Sequence, residues 1–237
     1  MPDTRYLDSQ EKFLGYAWSV FSEYYDRQEV FAEQFEWIRE AESKNLFLKL
    51  ASFYKFLVKE GTFRIKRDGQ EEVVDYLDET YKFIAIMSFI AALYSHDRHV
   101  DFYQWLSMRE RRGEVFPIDN MQKLDGLYRD YKAEYGANKK AEKFFVSLPG
   151  KIQDLLASSI KIDGEYKPAG ALASLLYAIR SEFVHAAELV LELGSGTMIS
   201  VRGEDVVVSE LSLRDLMKVF EHGLLHHFGF VPYKKAA

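Results

Sequence analysis

The sequence predicts a mainly α protein: a helical bundle with an N-terminal helical extension and one small β-hairpin near the C-terminus. Three observations carry this. Apolar residues recur at three- and four-residue spacing along most of the chain. Turn signals at Gly61, Asp68-Gly69, Gly113, Pro117 and Asp163-Gly164 punctuate those runs. The run "MISVRGEDVVVS" (Met198 to Ser209) is rich in β-branched residues around a Gly203-Glu204 turn.

In chain order, the spacing of Phe13, Leu14, Ala17, Val20, Phe21 and Tyr24 predicts a helix from about Asp8 to Arg27. Phe31, Phe35, Trp37 and Ile38 mark a second. Leu46 to Leu57 mark a third, ending at Gly61. "TFRIKRDGQ" breaks the pattern, and Phe63 and Ile65 alternate with charges as in a short extended piece. A long helix is expected from about Glu71 to Ser95 and another from about Val100 to Arg111. "RRGEVFPIDN" reads as a connection. Helices resume at about Asp119 to Tyr135 and Asn138 to Ser147. Pro149 suits the first turn of the next, which runs to about Ser159. "KIDGEYKPAG" reads as a loop. A long helix follows from about Pro168 to Leu193. After the hairpin, Ser212 and Asp215 have the spacing of a capping box for a last helix to about Phe228.

Composition excludes several classes. Hydrophobic residues at 48% and charged residues at 29% are those of a globular chain rather than a disordered one. The absence of cysteine rules out disulfides and thiolate chemistry and fits a cytoplasmic location. The N-terminal "MPDTRYLDSQEK" lacks the apolar core of a signal peptide. The longest apolar stretch, Phe83 to Tyr94, has twelve residues, too few to span a bilayer, so no membrane partner is expected. A net charge of −6 argues against a general nucleic-acid coat but leaves room for a local basic site.

The one constellation of chemical interest is in "LYAIRSEFVHAAELVLEL". On a helical wheel Leu172, Leu175, Leu176, Ile179, Phe183 and Val190 share a core face. Arg180 and His185 are about 140° apart, with Tyr177, Ser181, Val184 and Glu188 between them. Tyr177, Val184 and Leu191 form a second apolar strip, which calls for a second packing partner. Arginine offers a permanent charge in a planar fork, and histidine titrates near neutral pH. Together they can hold a phosphate and move a proton. The bland alternative pairs Arg180 and His185 with Glu182 or Glu188 on the same helix, or Arg180 with a distant carboxylate.

This helix resembles the signature helix of HEPN domains, the R-x4-6-H group, and is nearest the Apea-like subgroup. The residues that carry the resemblance are Leu176, Tyr177, Arg180, Ser181 and His185, with Ala186 where glycine is commoner. "KKAEKFFVSLPGKIQDLL" upstream and the hairpin plus helix downstream are similar as well. The resemblance covers about Glu71 to Phe228. It divides the chain into an N-terminal helical extension, 1–70, and a HEPN-like helical domain, 71–237.

HEPN domains are helical bundles, usually dimeric, and many are metal-independent ribonucleases acting as toxins of toxin–antitoxin pairs or in phage defence. The resemblance implies an endoribonuclease that leaves 2′,3′-cyclic phosphate ends and needs no metal or other cofactor. Arg180 and His185 would be catalytic, and Ser181 and Tyr177 would support or orient the phosphate. Tyr177, Val184 and Leu191 would line a homodimer face, with RNA as substrate and an antitoxin or other regulatory protein as a further partner. Active members often carry Asn, Asp or His after the arginine, and Ser181 departs from that pattern. Two other functions compete: a non-catalytic HEPN dimer that binds nucleotide or a protein, and a helical scaffold.

Elsewhere, His222 and His226 in "EHGLLHHFGF" share a helix face, but no HExxH pattern or third ligand is evident. "SHDRHVDF" (His96, Asp97, His99, Asp101) would need tertiary folding to join them. The dipole at a helix C-terminus explains the terminal histidines without metal. The basic clusters "RIKR", "RERR" and "NKKAEK" are short and mixed with acids, as on solvated faces.

Overall fold

The computed structural model describes residues 4–67, 69–94, 101–108, 112–162, 164–186, 198–201 and 205–233. It is mainly helical, with small antiparallel strand groups. The chain begins with α1 (Arg5–Asp8), α2 (Gln10–Phe21), α3 (Gln28–Glu36) and α4 (Ala41–Tyr54), which ends in a π-helical turn, Lys55–Lys59. The hairpin β1 (Arg64–Arg67) and β2 (Gln70–Val73) leads into the long α5 (Asp75–Leu93). Next come α6 (Phe102–Leu106), α7 (Arg112–Val115), α8 (Met121–Tyr135), α9 (Ala137–Ser147) and α10 (Gly150–Ser159). Strands β3 (Ile160–Ile162) and β4 (Glu165–Tyr166) precede α11 (Ala169–Ala186). The described chain closes with β5 (Met198–Val201), β6 (Asp205–Ser209) and α12 (Leu213–His227).

Local signals account for many boundaries. Gly69 and Gly164 take φ of +84° and +78°, the left-handed turn conformation that a Cβ disfavours. Ser212 Oγ accepts from the Asp215 amide at 3.1 Å while Asp215 Oδ2 accepts from the Ser212 amide, so the expected capping box starts α12. Asp101 caps α6 in the same way through Gln104. Pro149 sits one residue outside α10, where its carbonyl accepts from Ile152 and Gln153, rather than in the first turn.

Three expectations change. "RRGEVFPIDN" is not a plain connection, because it holds the short helix α7. "TFRIKRDGQ" forms a full hairpin rather than one extended piece. "KIDGEYKPAG" is not a plain loop: β3 pairs with β4 and with β6, giving a four-stranded sheet in the order β4-β3-β6-β5. Three-residue strands are too short for alternation to show in sequence, and β3 owes its conformation to a partner more than forty residues downstream.

One continuous apolar core runs from Ala17 to Phe230. It includes Phe21, Phe31 and Phe47 of the first helices, Ile86 and Ile90 of α5, Phe144 of α9, Leu172 and Leu176 of α11, and Phe220 and Leu224 of α12. The boundary expected at residue 70 therefore falls inside shared packing. Phe47 stacks on Phe230 with centroids 4.8 Å apart. Gln34 clasps Val231 through both backbone polar groups, accepting from its amide at 2.8 Å and donating to its carbonyl at 3.1 Å. A smaller cluster around Trp105, Leu106 and Val115 packs under Tyr131 and Tyr135 of α8. Among the described residues no helix is long and apolar enough to cross a membrane.

Candidate functional site

Helix α11 is built from strong helix formers and lies against α9, with further contacts to α10 and α5. Small residues allow the close approach: Ala169 and Ala173 of α11 and Ala141 of α9 are all buried, and Gly170 faces Glu142 and Val146. Leu172, Leu176 and Ile179 fill the core, as the wheel predicts. Leu175 and Phe183 are half-buried at the edge of that stripe. Phe183 meets the ring of Tyr81 on α5 edge-on at 6.0 Å.

Arg180 lies within α11 and is half-buried, and His185 lies in its last turn and is exposed. Helix geometry separates them by about 7.5 Å along the axis and about 140° around it. The Arg180 guanidinium carbon stands 6.0 Å from the centroid of the Tyr177 ring, at the outer limit of a cation–π contact. Among the described residues neither Arg180 nor His185 has a carboxylate partner, so the pairing with Glu182 is not made. Glu188 lies outside the described residues. Ser181 is half-buried between the two.

The second apolar strip divides. Val184 is 46% exposed. Tyr177 instead packs partly against the intrachain core. Leu191 and Val190 lie outside the described residues. One chain therefore presents a permanent cation, a hydroxyl and an imidazole on an accessible helix face, beside one bare valine. Such a set can neutralise a phosphate and carry a proton, but the two functional heads of a single chain point too far apart to grip the same phosphoryl group.

The histidines at the C-terminus serve packing. His222 is half-buried against Tyr24, with ring centroids 4.8 Å apart, and His227 meets Tyr94 at 5.2 Å. His226 is exposed. Among the described residues no group of three or more His, Asp or Glu is arranged to hold a metal. His96, Asp97 and His99 lie outside them. Of the basic clusters, Arg64 pairs with Glu71 and Lys139 with Glu142, both largely exposed. Arg109 and Arg111 are outside the described residues.

The most deeply built polar group escapes the sequence pattern. Glu221 of α12 is buried in the core stripe between Phe220 and Leu224. It accepts from Tyr24 Oη at 2.6 Å, from Tyr54 Oη at 2.7 Å and from Lys59 Nζ at 3.3 Å. Lys59 also donates to the Val20 carbonyl at 2.7 Å and to Glu23 at 3.1 Å. Burial and the adjacent carboxylate push both tyrosine hydroxyls far above their ordinary range. The network ties α12 to α2, α4 and the π-helical turn. A lone Glu in the apolar run "LMKVFEHGLL" is the only trace it leaves in the sequence.

No family model, curated protein or solved structure matches this chain.

Proposed function

We propose that the chain is a metal-independent endoribonuclease of HEPN type, acting as a homodimer in a toxin–antitoxin or phage-defence setting. The observation that carries the reading is an unpaired, half-buried arginine and an exposed histidine on one core-backed helix, in the spacing of the resembled signature. Ion-paired structural arginines have their charge spent, whereas this one keeps it for a ligand.

In the proposed reaction a 2′-hydroxyl attacks the adjacent phosphorus in line. Its proton passes to one His185 imidazole. The bond from phosphorus to the 5′-oxygen breaks, and that oxygen takes a proton from the His185 of the partner subunit. Arg180 stabilises charge growing on the phosphoryl oxygens. The products are a 2′,3′-cyclic phosphate and a 5′-hydroxyl. Pairing two α11 helices across a two-fold axis brings groups into one cleft that a single helix splays apart, and covers Val184.

The test is incubation of purified protein with RNA in excess chelator, with mapping of the product ends. Cleavage should persist, fall roughly 10²–10⁴-fold in His185→Ala, and weaken in Arg180→Lys, because a point charge does not replace the fork. A requirement for a divalent ion, or 3′-hydroxyl ends, refutes the mechanism. Ser181 in place of the commoner Asn, Asp or His favours a second reading, a non-catalytic HEPN dimer. Dimerisation without cleavage would select it.

A further inference from the structure

A cleft of about 490 Å³ opens between the π-helical turn, the start of the β1–β2 hairpin and the second turn of α5. That volume falls in the range of small-molecule sites, about 300–1,000 Å³. Its walls are apolar and largely aromatic, with Phe56, Phe63 and Tyr81 joined by Leu57 and Ile84. Phe56, Leu57 and Tyr81 are 46%, 56% and 47% exposed, a concentration of bare apolar surface that water does not favour. The Phe63 and Tyr81 rings lie 5.0 Å apart at 32°, leaving a tilted platform.

The backbone that shapes the cleft is unusual. The π-helical turn, a rare conformation that clusters at functional sites, presents Phe56 and Leu57 side by side. Gly61 follows so closely that a Cβ there would stand 2.4 Å from the Phe56 carbonyl oxygen. Only glycine lets the chain turn back and close the cleft wall.

The polar lining has a definite polarity. Asp78 has both oxygens engaged: Oδ1 accepts from the Phe63 amide at 2.6 Å and Oδ2 from Lys82 Nζ at 2.7 Å. Both side chains of that pair are about 15% exposed. The Lys82 ammonium retains two further N–H donors, and among the described residues neither it nor the Thr62 hydroxyl has another partner. What remains to be satisfied at the cleft is therefore donors, on an ammonium whose charge Asp78 balances.

We propose that this cleft binds a small planar aromatic acid, its ring system against Tyr81 and Phe63 and its carboxylate on Lys82 and Thr62. Aromatic walls favour a flat ring in offset contact, and the unused donors select an acceptor-only head such as a carboxylate over a cationic one. The assignment is independent of the nuclease reading, because none of these residues belongs to the Arg180–His185 set.

Titration of the full chain with 2-naphthoate, followed by calorimetry and by amide chemical shifts, tests it. One site per chain is expected, with shifts concentrated at Thr62, Phe63, Tyr81, Lys82 and Ala85. 2-Naphthalenemethanol, which keeps the rings but lacks the charge, should bind roughly tenfold more weakly. Lys82→Met and Tyr81→Ala should each cost roughly tenfold in affinity. Lys82→Met leaves Asp78 without its counter-charge, so far-UV circular dichroism must match wild type for it to count. Tyr81→Ala, at a half-exposed ring, and the alcohol comparison decide the matter if it does not. Equal binding of acid and alcohol, unchanged affinity in either folded variant, or shifts centred elsewhere overturns the assignment.

Discussion

Gly223 marks a close approach between α12 and α9, and Gly223→Ala tests how rigid that packing is. It lies in the middle of α12, where alanine is the better helix former by about 1 kcal/mol. Propensity alone predicts a more stable protein. The surroundings predict the opposite. A Cβ at 223 would stand 2.2 Å from Phe144 Cζ, 2.5 Å from Phe144 Cε2 and 2.8 Å from Leu148 Cδ2. Phe144 cannot swing clear: it is fully buried, edge-on to Phe145 at 5.4 Å and against Phe220 at 6.4 Å. Helix α9 must then move off α12, at the ~1–3 kcal/mol typical of overpacking and toward its upper end here. The net effect is a loss of about 1–2 kcal/mol after the propensity gain. For a chain of this size that is a fall in Tm of roughly 2–8 °C. Thermal and urea melts of wild type, Gly223→Ala, Phe144→Leu and the double variant provide the measurement. Phe144→Leu shortens the side chain that blocks the new methyl, so the double variant should lose less than the sum of the singles. A Gly223→Ala protein as stable as wild type, or strict additivity, refutes the argument.

The buried carboxylate predicts a second loss. Glu221→Gln leaves Lys59 with the exposed Glu23 as its remaining carboxylate partner among the described residues and sets an amide donor against a tyrosine hydroxyl, so unfolding free energy from urea melts should fall by about 3 kcal/mol. Burial, opposed by Glu221 and Glu23 and aided by Lys218, holds the pKa of His222 below its ordinary 6.5. The unfolded chain therefore takes up that proton first as pH falls. Stability from this group is complete above pH 6.5 and is lost as pH drops toward the folded value, by at most about 1.4 kcal/mol per pH unit. His222→Gln should flatten the difference between urea midpoints at about pH 7.5 and about pH 5.5, either side of the ordinary histidine value. An identical pH dependence in both proteins counts against it. Val184→Glu, at an exposed position on α11, should leave circular dichroism unchanged while light scattering reports monomer and RNA cleavage is lost. A wild-type chain that stays monomeric at high concentration yet cleaves RNA refutes the two-helix site.

What could be read from sequence was local. The Ser212–Asp215 cap, the turn glycines Gly69 and Gly164 and the Val206–Ser209 run each act within a few residues, and each matches the observed element. Arg180 and His185 were legible because both lie on one helix, five positions apart. Contacts between distant segments were not. Strand β3 depends on β6, Glu221 on tyrosines 167 and 197 positions away, and the aromatic cleft on a π-helical turn meeting α5. Tyr177 shows the limit of the wheel: its angle places it opposite the core stripe, yet it is half-buried against the intrachain core. A wheel reports direction and says nothing about what stands there.

The clasp between Gln34 and Val231, with Phe47 stacked on Phe230, bears on how the chain reaches its fold. Phe31, Phe47 and Tyr54 of the first helices meet α12 and the residues just after it. While the chain emerges from a ribosome those helices can pack on one another and on α5, but these last contacts wait until about residue 231 is out. Closing a loop of nearly two hundred residues adds only logarithmically to the entropic cost, but it places such contacts late and makes folding slow for a helical bundle. For most of its synthesis the first third of the molecule holds Phe31 and Phe47 without the cover that Phe228 and Phe230 give them. Any stop before α12 leaves that side of the two rings uncovered.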